Sequence, residues 1–163
     1  MTRNEIVVGL DESPSARAAL HWAASQARLL QCVLRAIHVI EQPTGYGAEY
    51  HTFLAMAYTF DAEVDDAYRS RLVQVFDEVE PRPDWLLQFA KGEAGSALVH
   101  QAEQSRLLVV GTREHVGLGR LISGSVSHYC LSHASCPVVA VPATLEEELG
   151  GHDTDQTDSA PLP

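Results

Sequence analysis

Short apolar runs alternate with helical patterns along most of this chain, and this alternation restricts the folds open to it. In the segments between these runs, apolar residues recur at the spacing of a helix. Strand–helix alternation over about 140 residues predicts an α/β fold, a doubly wound five-stranded parallel sheet with helices on both faces. The predicted strands are Glu5–Leu10, Cys32–Ile40, Trp85–Ala90, Leu107–Val110 and Val138–Val141, and the predicted helices begin at Pro14, Asp61, Glu93 and Gly124.

The order of the strands predicts where a ligand would bind. Five strands suit the order 3-2-1-4-5, in which the connections after strands 1 and 4 leave on opposite faces of the sheet. A crevice then opens between the carboxyl ends of those two strands, and ligands of such sheets bind there. The loops at this place are Asp11–Ser13 and Gly111–Ser125. Ser13 is the expected N-cap of the first helix, with Pro14 at its first position.

The loop after strand 4 has the composition of an anion site. It reads GTREHVGLGRLISGS from Gly111 to Ser125 and leads into a helix. A helix N-terminus offers free N–H groups and a positive dipole, and glycines allow close approach of the backbone. A Walker A lysine and a third glycine of the dinucleotide fingerprint are both missing, so neither of those motifs applies. The alternative is a glycine-rich connection that merely turns the chain.

Three segments resemble the universal stress protein family over about residues 3 to 142. They read VVGLDESPSARAAL, HVIE and VVGTREHVGLGRLISGSVSHYCLSHASCPVVAVP. The resemblance implies the same 3-2-1-4-5 sheet and, in one branch of the family, ATP binding through a G-x2-G-x9-G-(S/T) loop. Another branch of the family lacks this loop and does not bind ATP.

Carried over by position, the resemblance implies a set of nucleotide-binding residues. Gly111 matches the first glycine of the loop and Gly124-Ser125 the closing pair, while Val126 supplies the next backbone N–H. Asp11 matches the acid near base and ribose, and the backbone of Val39 the position that reads the adenine edge. The predicted set is completed by Gly9 in the crevice and by Thr112, Arg113, Glu114 and Gly117 in the loop.

Glu114 departs from the family pattern, because it occupies the place of the second glycine. A carboxylate about 5 Å from a phosphate charge repels it by roughly 3 kcal/mol at an effective dielectric of about 20. Arg113, His115, Arg120 or Mg²⁺ would offset this repulsion. Alternatively, Glu114 bonds a ribose hydroxyl and favours a smaller ligand such as AMP or a cyclic nucleotide.

Three functions follow as hypotheses. The favoured one is a cytoplasmic, stress-associated regulatory protein that binds ATP or a related adenine nucleotide, with or without Mg²⁺. The alternative is a protein-interaction module of the same fold that binds no nucleotide, because Glu114 prevents the loop from binding one. The third is slow ATP hydrolysis or autophosphorylation. No catalytic residue is predicted, because no side chain is placed as a general base.

The charge and hydropathy of the sequence disfavour two kinds of partner, nucleic acids and membranes. The formal net charge is −11, which disfavours a general nucleic-acid binder. No apolar run has the length of a membrane span, and no secretory leader is recognised, so a cytoplasmic protein is expected. Residues 143–163 hold six of the 22 acids and no Lys or Arg. We expect a domain over residues 1–142 and a disordered acidic tail over 143–163.

Several other residues have both structural and functional interpretations. Predicted helical angles of the histidines and cysteines near the last helix do not converge, so no metal site is expected. Cys32 and Cys136 are interpreted as buried small apolar residues, and His38 as a hydrogen-bonded core histidine. The long segment Glu41–Phe60 either packs over the sheet edge or forms a lid or partner surface. Strand Val138–Val141 would be an apolar edge, which predicts a homodimer through it; the resemblance implies the same.

Overall fold

The computed structural model describes residues 3–41, 66–114 and 122–143, with the backbone alone at 113–114 and 122–123. Segment 42–60 and tail residues 144–163 lie outside the described part, as does the start of the second predicted helix. The strands are β1 (Glu5–Gly9), β2 (Val33–Ile40), β3 (Leu86–Lys91), β4 (Leu107–Glu114), β5 (Ile122–Ser123) and β6 (Val138–Pro142). The helices are α1 (Pro14–Leu30), α2 (66–77), α3 (Ala94–Ala102) and α4 (Ser125–His133).

Five strands form a parallel sheet in the order β3-β2-β1-β4-β6. This order confirms the predicted one, with β6 in the place of the predicted fifth strand. Two features differ from the prediction. Strand β4 continues to Glu114 rather than ending at Val110, because Gly111 and Thr112 pair with β6. The two-residue β5 then pairs antiparallel with Arg113 and Glu114, so the loop predicted to begin at Gly111 starts as a strand.

The two faces of the sheet carry separate apolar cores. Helices α1 and α2 cover one face, and alanines on α1 allow the helix to lie close to the strands. Helices α3 and α4 cover the other face, where Leu98 and Cys130 pack on the sheet. Leu30 is exposed, because α1 ends at that residue and Gln31 turns the chain away with a φ of 52°.

The start of α1 is built as the sequence predicts and lies against β4. Ser13 caps the helix by accepting a hydrogen bond from the backbone N–H of Ala16 at 3.2 Å, and Pro14 occupies the first turn. A Cβ placed on Gly111 would lie 2.5 Å from the carbonyl carbon of Ser15 and 2.7 Å from the nitrogen of Ala16. Gly111 therefore allows the first turn of α1 to approach β4 with backbone touching backbone.

A buried arginine, which the sequence analysis missed, lies near the amino ends of the strands. The guanidinium of Arg35 donates to Glu5 Oε1 at 2.8 Å, to Gln88 Oε1 at 3.1 Å and to both the side chain and the backbone carbonyl of Gln101. Ser105 also donates to Glu5, at 3.1 Å. This network joins β1, β2 and β3 to α3 at the end of the sheet opposite the crevice.

Candidate functional site

A cavity of about 610 Å³ opens at the carboxyl ends of β1, β2 and β4. It lies where the strand order predicts a ligand crevice. The chain segments that follow β1 and β2 and those that begin α1, α3 and α4 all contribute to its wall. The lining residues include Gly9, Leu10, Asp11, Ser13, Ser15, His38, Val39, Glu41, Tyr68, Ala94, Gly111, Gly124, Ser125, Val126 and Ser127.

The N-termini of three helices reach this cavity, and they differ in how their N–H groups are satisfied. The first turn of α1 is capped by the hydroxyl of Ser13. The first turn of α3 is capped by the carboxylate of Glu93, which accepts from the N–H groups of Gly95 and Ser96. Helix α4 begins at Ser125, and its N-cap residue, Gly124, provides no side-chain cap. Among these three, α4 is the helix that presents uncapped N–H donors to a ligand.

The charge of the described wall is negative. Asp11 and Glu41 supply carboxylates, and no described lining residue is Lys or Arg. One oxygen of Asp11 accepts the N–H of Ser13 at 2.8 Å, which fixes the turn between β1 and α1. The carboxylates of Asp11 and Glu41 repel an anion, whereas the uncapped N-terminus of α4 attracts one.

Tyr68 and His38 form the wall on the side of β2. The Nδ1 atom of His38 lies 2.9 Å from the carbonyl oxygen of Leu10. Since a carbonyl oxygen only accepts, Nδ1 is the protonated nitrogen. The ring of Tyr68 packs against the ring of His38, with their centroids 5.2 Å apart. Burial raises the pKa of Tyr68, and the carboxylates of Glu12 and Asp11 raise it further. The prediction of a hydrogen-bonded core histidine is confirmed, and its ring also borders the cavity.

The structure brings most of the predicted nucleotide-binding residues to one place. The residues that line the cavity are Gly9, Asp11, Val39, Gly111, Gly124, Ser125 and Val126. Thr112 is buried beside them. The side chains of Arg113 and Glu114, and the whole of Gly117, lie outside the described part. Tyr68 was missed, because α2 is distant in the sequence and nothing in its pattern indicates contact with the crevice.

The three cysteines differ in burial. Cys130 is fully buried, and burial raises its pKa to about 11. Burial also raises the pKa of Cys136, which is half-exposed rather than buried as predicted, while Cys32 is buried as expected. Within the described ranges, no three His, Cys, Asp or Glu side chains group as metal ligands. In the same ranges, no helix combines the length and the apolar character needed to cross a bilayer.

A family model described as the universal stress protein family matches residues 2–142. The chain belongs to this family. It is 30% identical over 146 residues to a universal stress protein of Mycobacterium tuberculosis, an alignment that covers 83% of this chain and 46% of the relative. It is 28% identical to universal stress protein A homolog 1 of Coxiella burnetii, covering 86% of this chain and 97% of that one. The chain thus spans about half the length of the mycobacterial relative it matches.

Solved universal stress proteins share the fold. UspA from Lactobacillus plantarum superposes with a TM-score of 0.65 at 23% identity, over 86% of this chain and 99% of that chain. A universal stress protein from Archaeoglobus fulgidus, in complex with dAMP, has a TM-score of 0.58 at 20% identity over 86% and 99%. A further universal stress protein structure, in complex with cAMP, has a TM-score of 0.59 at 21% identity, over 88% of this chain and 99% of that chain.

Proposed function

We propose that this universal stress protein binds ATP or a related adenine nucleotide in the cavity between β1 and β4. The observation that carries the proposal is the uncapped N-terminus of α4 at the cavity wall, with the hydroxyl of Ser125 beside it. The hydroxyl of Ser127, in the same turn, donates to the carbonyl of Gly124 at 3.2 Å. Free N–H groups, helix dipole and hydroxyl donors together suit a phosphate.

The rest of the wall supports an orientation for the ligand. Val39, at the far side of the cavity from α4, would meet the adenine edge through its backbone, and Asp11 would accept from ribose hydroxyls. Two fold neighbours bind adenine nucleotides with one phosphate, dAMP in one and cAMP in the other. The volume of about 610 Å³ falls within the range of small-molecule sites, about 300–1,000 Å³.

The negative wall favours a second candidate, an interaction module that binds no nucleotide. Asp11 and Glu41 oppose a polyanion, and the described lining has no basic side chain to balance them. For a triphosphate, Mg²⁺ or the cations of the loop, Arg113, His115 and Arg120, would have to supply that balance. A nucleotide titration separates the two candidates.

We propose a regulatory role in the cytoplasm, associated with stress, rather than rapid turnover. A bound nucleotide would stabilise one state of the protein or of its dimer. Slow ATP hydrolysis or autophosphorylation is the third hypothesis. Release of phosphate from ATP above the level of a Gly124→Val variant would support it.

A homodimer through β6 is a further part of the proposal. In the described part of the chain β6 pairs with β4 alone, so its outer edge carries unpaired backbone groups. Pairing of two such edges around a twofold axis would satisfy them. Light scattering on the eluted protein at tens of micromolar tests this proposal: twice the mass of the chain supports it, and a monomer contradicts it.

Native mass spectrometry of the purified protein, followed by calorimetric titration with AMP, cAMP and ATP with Mg²⁺, tests the nucleotide proposal. We expect binding of at least one of them, weakened by Gly124→Val, which places a branched side chain over the N-terminus of α4. Ser132→Ala is the matched control, since Ser132 lies on the same helix and its hydroxyl bonds the carbonyl of His128. No binding of any of the three at millimolar concentration would favour the interaction module.

A further inference from the structure

Tyr68 brings an aromatic ring into the cavity wall from a helix that contributes nothing to the glycine loop. Of the residues that the structure describes, Tyr68 is the only Tyr, Phe or Trp that lines the cavity and the only lining residue from α2. The side chain is half-buried and packs at the margin of the core that α1 and α2 form with the sheet. Part of the ring is therefore held by the protein, and part is presented to a ligand.

Several contacts hold the ring of Tyr68 in place before a ligand binds. Its centroid lies 5.2 Å from that of His38, and His38 is itself held by the hydrogen bond from Nδ1 to the carbonyl of Leu10. The guanidinium of Arg71 lies 5.5 Å from the centroid of the Tyr68 ring and donates to Glu12 Oε1 at 2.6 Å. A side chain that is already ordered loses little conformational entropy when a ligand packs against it.

The surroundings of Tyr68 keep its phenol neutral. Burial raises the pKa of Tyr68, and the carboxylates of Glu12 and Asp11 raise it further. The ring therefore adds no negative charge to a wall that already carries Asp11 and Glu41. Beside these carboxylates, it provides an uncharged surface for an aromatic group of a ligand.

The position of Tyr68 relative to α4 indicates which part of a nucleotide would reach the ring. Helices α2 and α4 cover opposite faces of the sheet, so Tyr68 and the N-terminus of α4 form different sides of the cavity. A nucleotide whose phosphate lies at α4 would meet Tyr68 with another part of the molecule. The base is the part that suits an aromatic ring, because aromatic pairs attract in both offset-stacked and edge-to-face arrangements.

We propose that Tyr68 is a specificity-determining residue whose ring packs against the base of the bound nucleotide. The proposal rests on the proposed nucleotide binding, and it assigns the ring to recognition of the base rather than of the phosphate. It makes α2 a part of the binding site, together with the loops that follow β1 and β4.

Replacing the ring should affect ligands according to whether they carry a base. Tyr68→Ala should lower the affinity for AMP about tenfold or more. The affinity for adenosine should fall by the same factor, because adenosine carries the same base. The affinity for ribose 5-phosphate, which has the phosphate and no base, should be unchanged. Tyr68→Phe keeps the ring and should keep the affinity for AMP within a few-fold of the original.

Calorimetric titration with AMP and adenosine, and competition of ribose 5-phosphate against AMP, measure these affinities. Phe89→Ala is the matched control. The ring of Phe89 packs against the same ring of His38, with centroids 5.9 Å apart, but Phe89 is not among the lining residues. This variant removes an aromatic side chain of similar size from the same cluster. It should lower the unfolding temperature and leave the affinity for AMP unchanged.

Titration of the unsubstituted protein separates a failure of the proposed function from a failure of this inference. If the unsubstituted protein binds neither AMP nor ATP, the proposed function fails and the role of Tyr68 fails with it. If the protein binds AMP and Tyr68→Ala binds AMP equally well, the proposed function stands and the role of Tyr68 is wrong. The role is also wrong if ribose 5-phosphate loses as much affinity as AMP, or if Phe89→Ala weakens AMP binding as much as Tyr68→Ala does.

Discussion

Gly111 and Gly124 both match the glycines of the nucleotide loop, but the structure predicts different results when each is replaced. A Cβ on Gly111 would lie 2.5 Å from a backbone carbon of α1, whereas ordinary contacts begin at about 3.4 Å. Helix and strand would have to separate by about 0.9 Å. A gap of that size removes roughly a quarter to a half of the dispersion energy between the surfaces. Gly111→Ala should therefore cost about 3 kcal/mol, the upper part of the usual range for overpacking.

The assay is thermal unfolding of the free protein, in which about 3 kcal/mol corresponds to a fall of about 6–12 °C. Gly124→Ala is the matched comparison. Its Cβ would meet the hydroxyl of Ser127 at 2.8 Å, a side chain that can rotate, and its φ of 167° is extended backbone open to any residue. We expect a cost of about 1 kcal/mol from the lost hydrogen bond of Ser127. Equal unfolding temperatures for Gly111→Ala and the unsubstituted protein would refute the packing argument.

Three further predictions concern charge. Arg35→Ala removes a buried guanidinium that donates to Glu5, Gln88 and Gln101, and it leaves the partly buried Glu5 with the longer ion pair to exposed Arg3, at 3.9 Å. It should lower the free energy of unfolding by about 3 kcal/mol, measured by urea denaturation; a loss below about 1 kcal/mol would show that the network contributes little. Because the pKa of Cys130 is raised from 9.0 to about 11 in the folded protein, the unfolded thiol ionises first and stability should fall as pH rises from about 9 to 11. Cys130→Ala should remove that part of the slope in urea midpoints, and an unchanged slope would contradict the assignment. Glu114→Gly should raise ATP affinity about tenfold or more by removing a repelling carboxylate; unchanged affinity in the same titration would show that Glu114 does not act on the phosphates.

The order and type of the elements could be predicted because the signals are local. Apolar runs, helical spacing and the Ser13-Pro14 start of α1 each depend on a few neighbouring residues. The position of the cavity followed from strand order, so Asp11, Gly111 and Gly124 could be placed together before any coordinates were known.

The remaining features depend on contacts between distant segments. The continuation of β4 beyond Val110 requires its partner β6, and the two residues of β5 are too few to give a pattern. Tyr68 reaches the cavity because α2 packs across β2. The close approach behind Gly111 is a property of tertiary packing that no sequence motif reports.

The network around Arg35 makes the sheet unequal at its two ends. At the amino ends, one guanidinium ties three strands and a helix together by charged hydrogen bonds. At the carboxyl ends, a cavity lies between the ends of the strands and the first turns of α1, α3 and α4. A ligand bound in the cavity would connect elements at the end of the sheet that lacks such a network. Its binding would therefore stabilise mainly α1, α4 and the strands between them, and would change the amino ends of the sheet little.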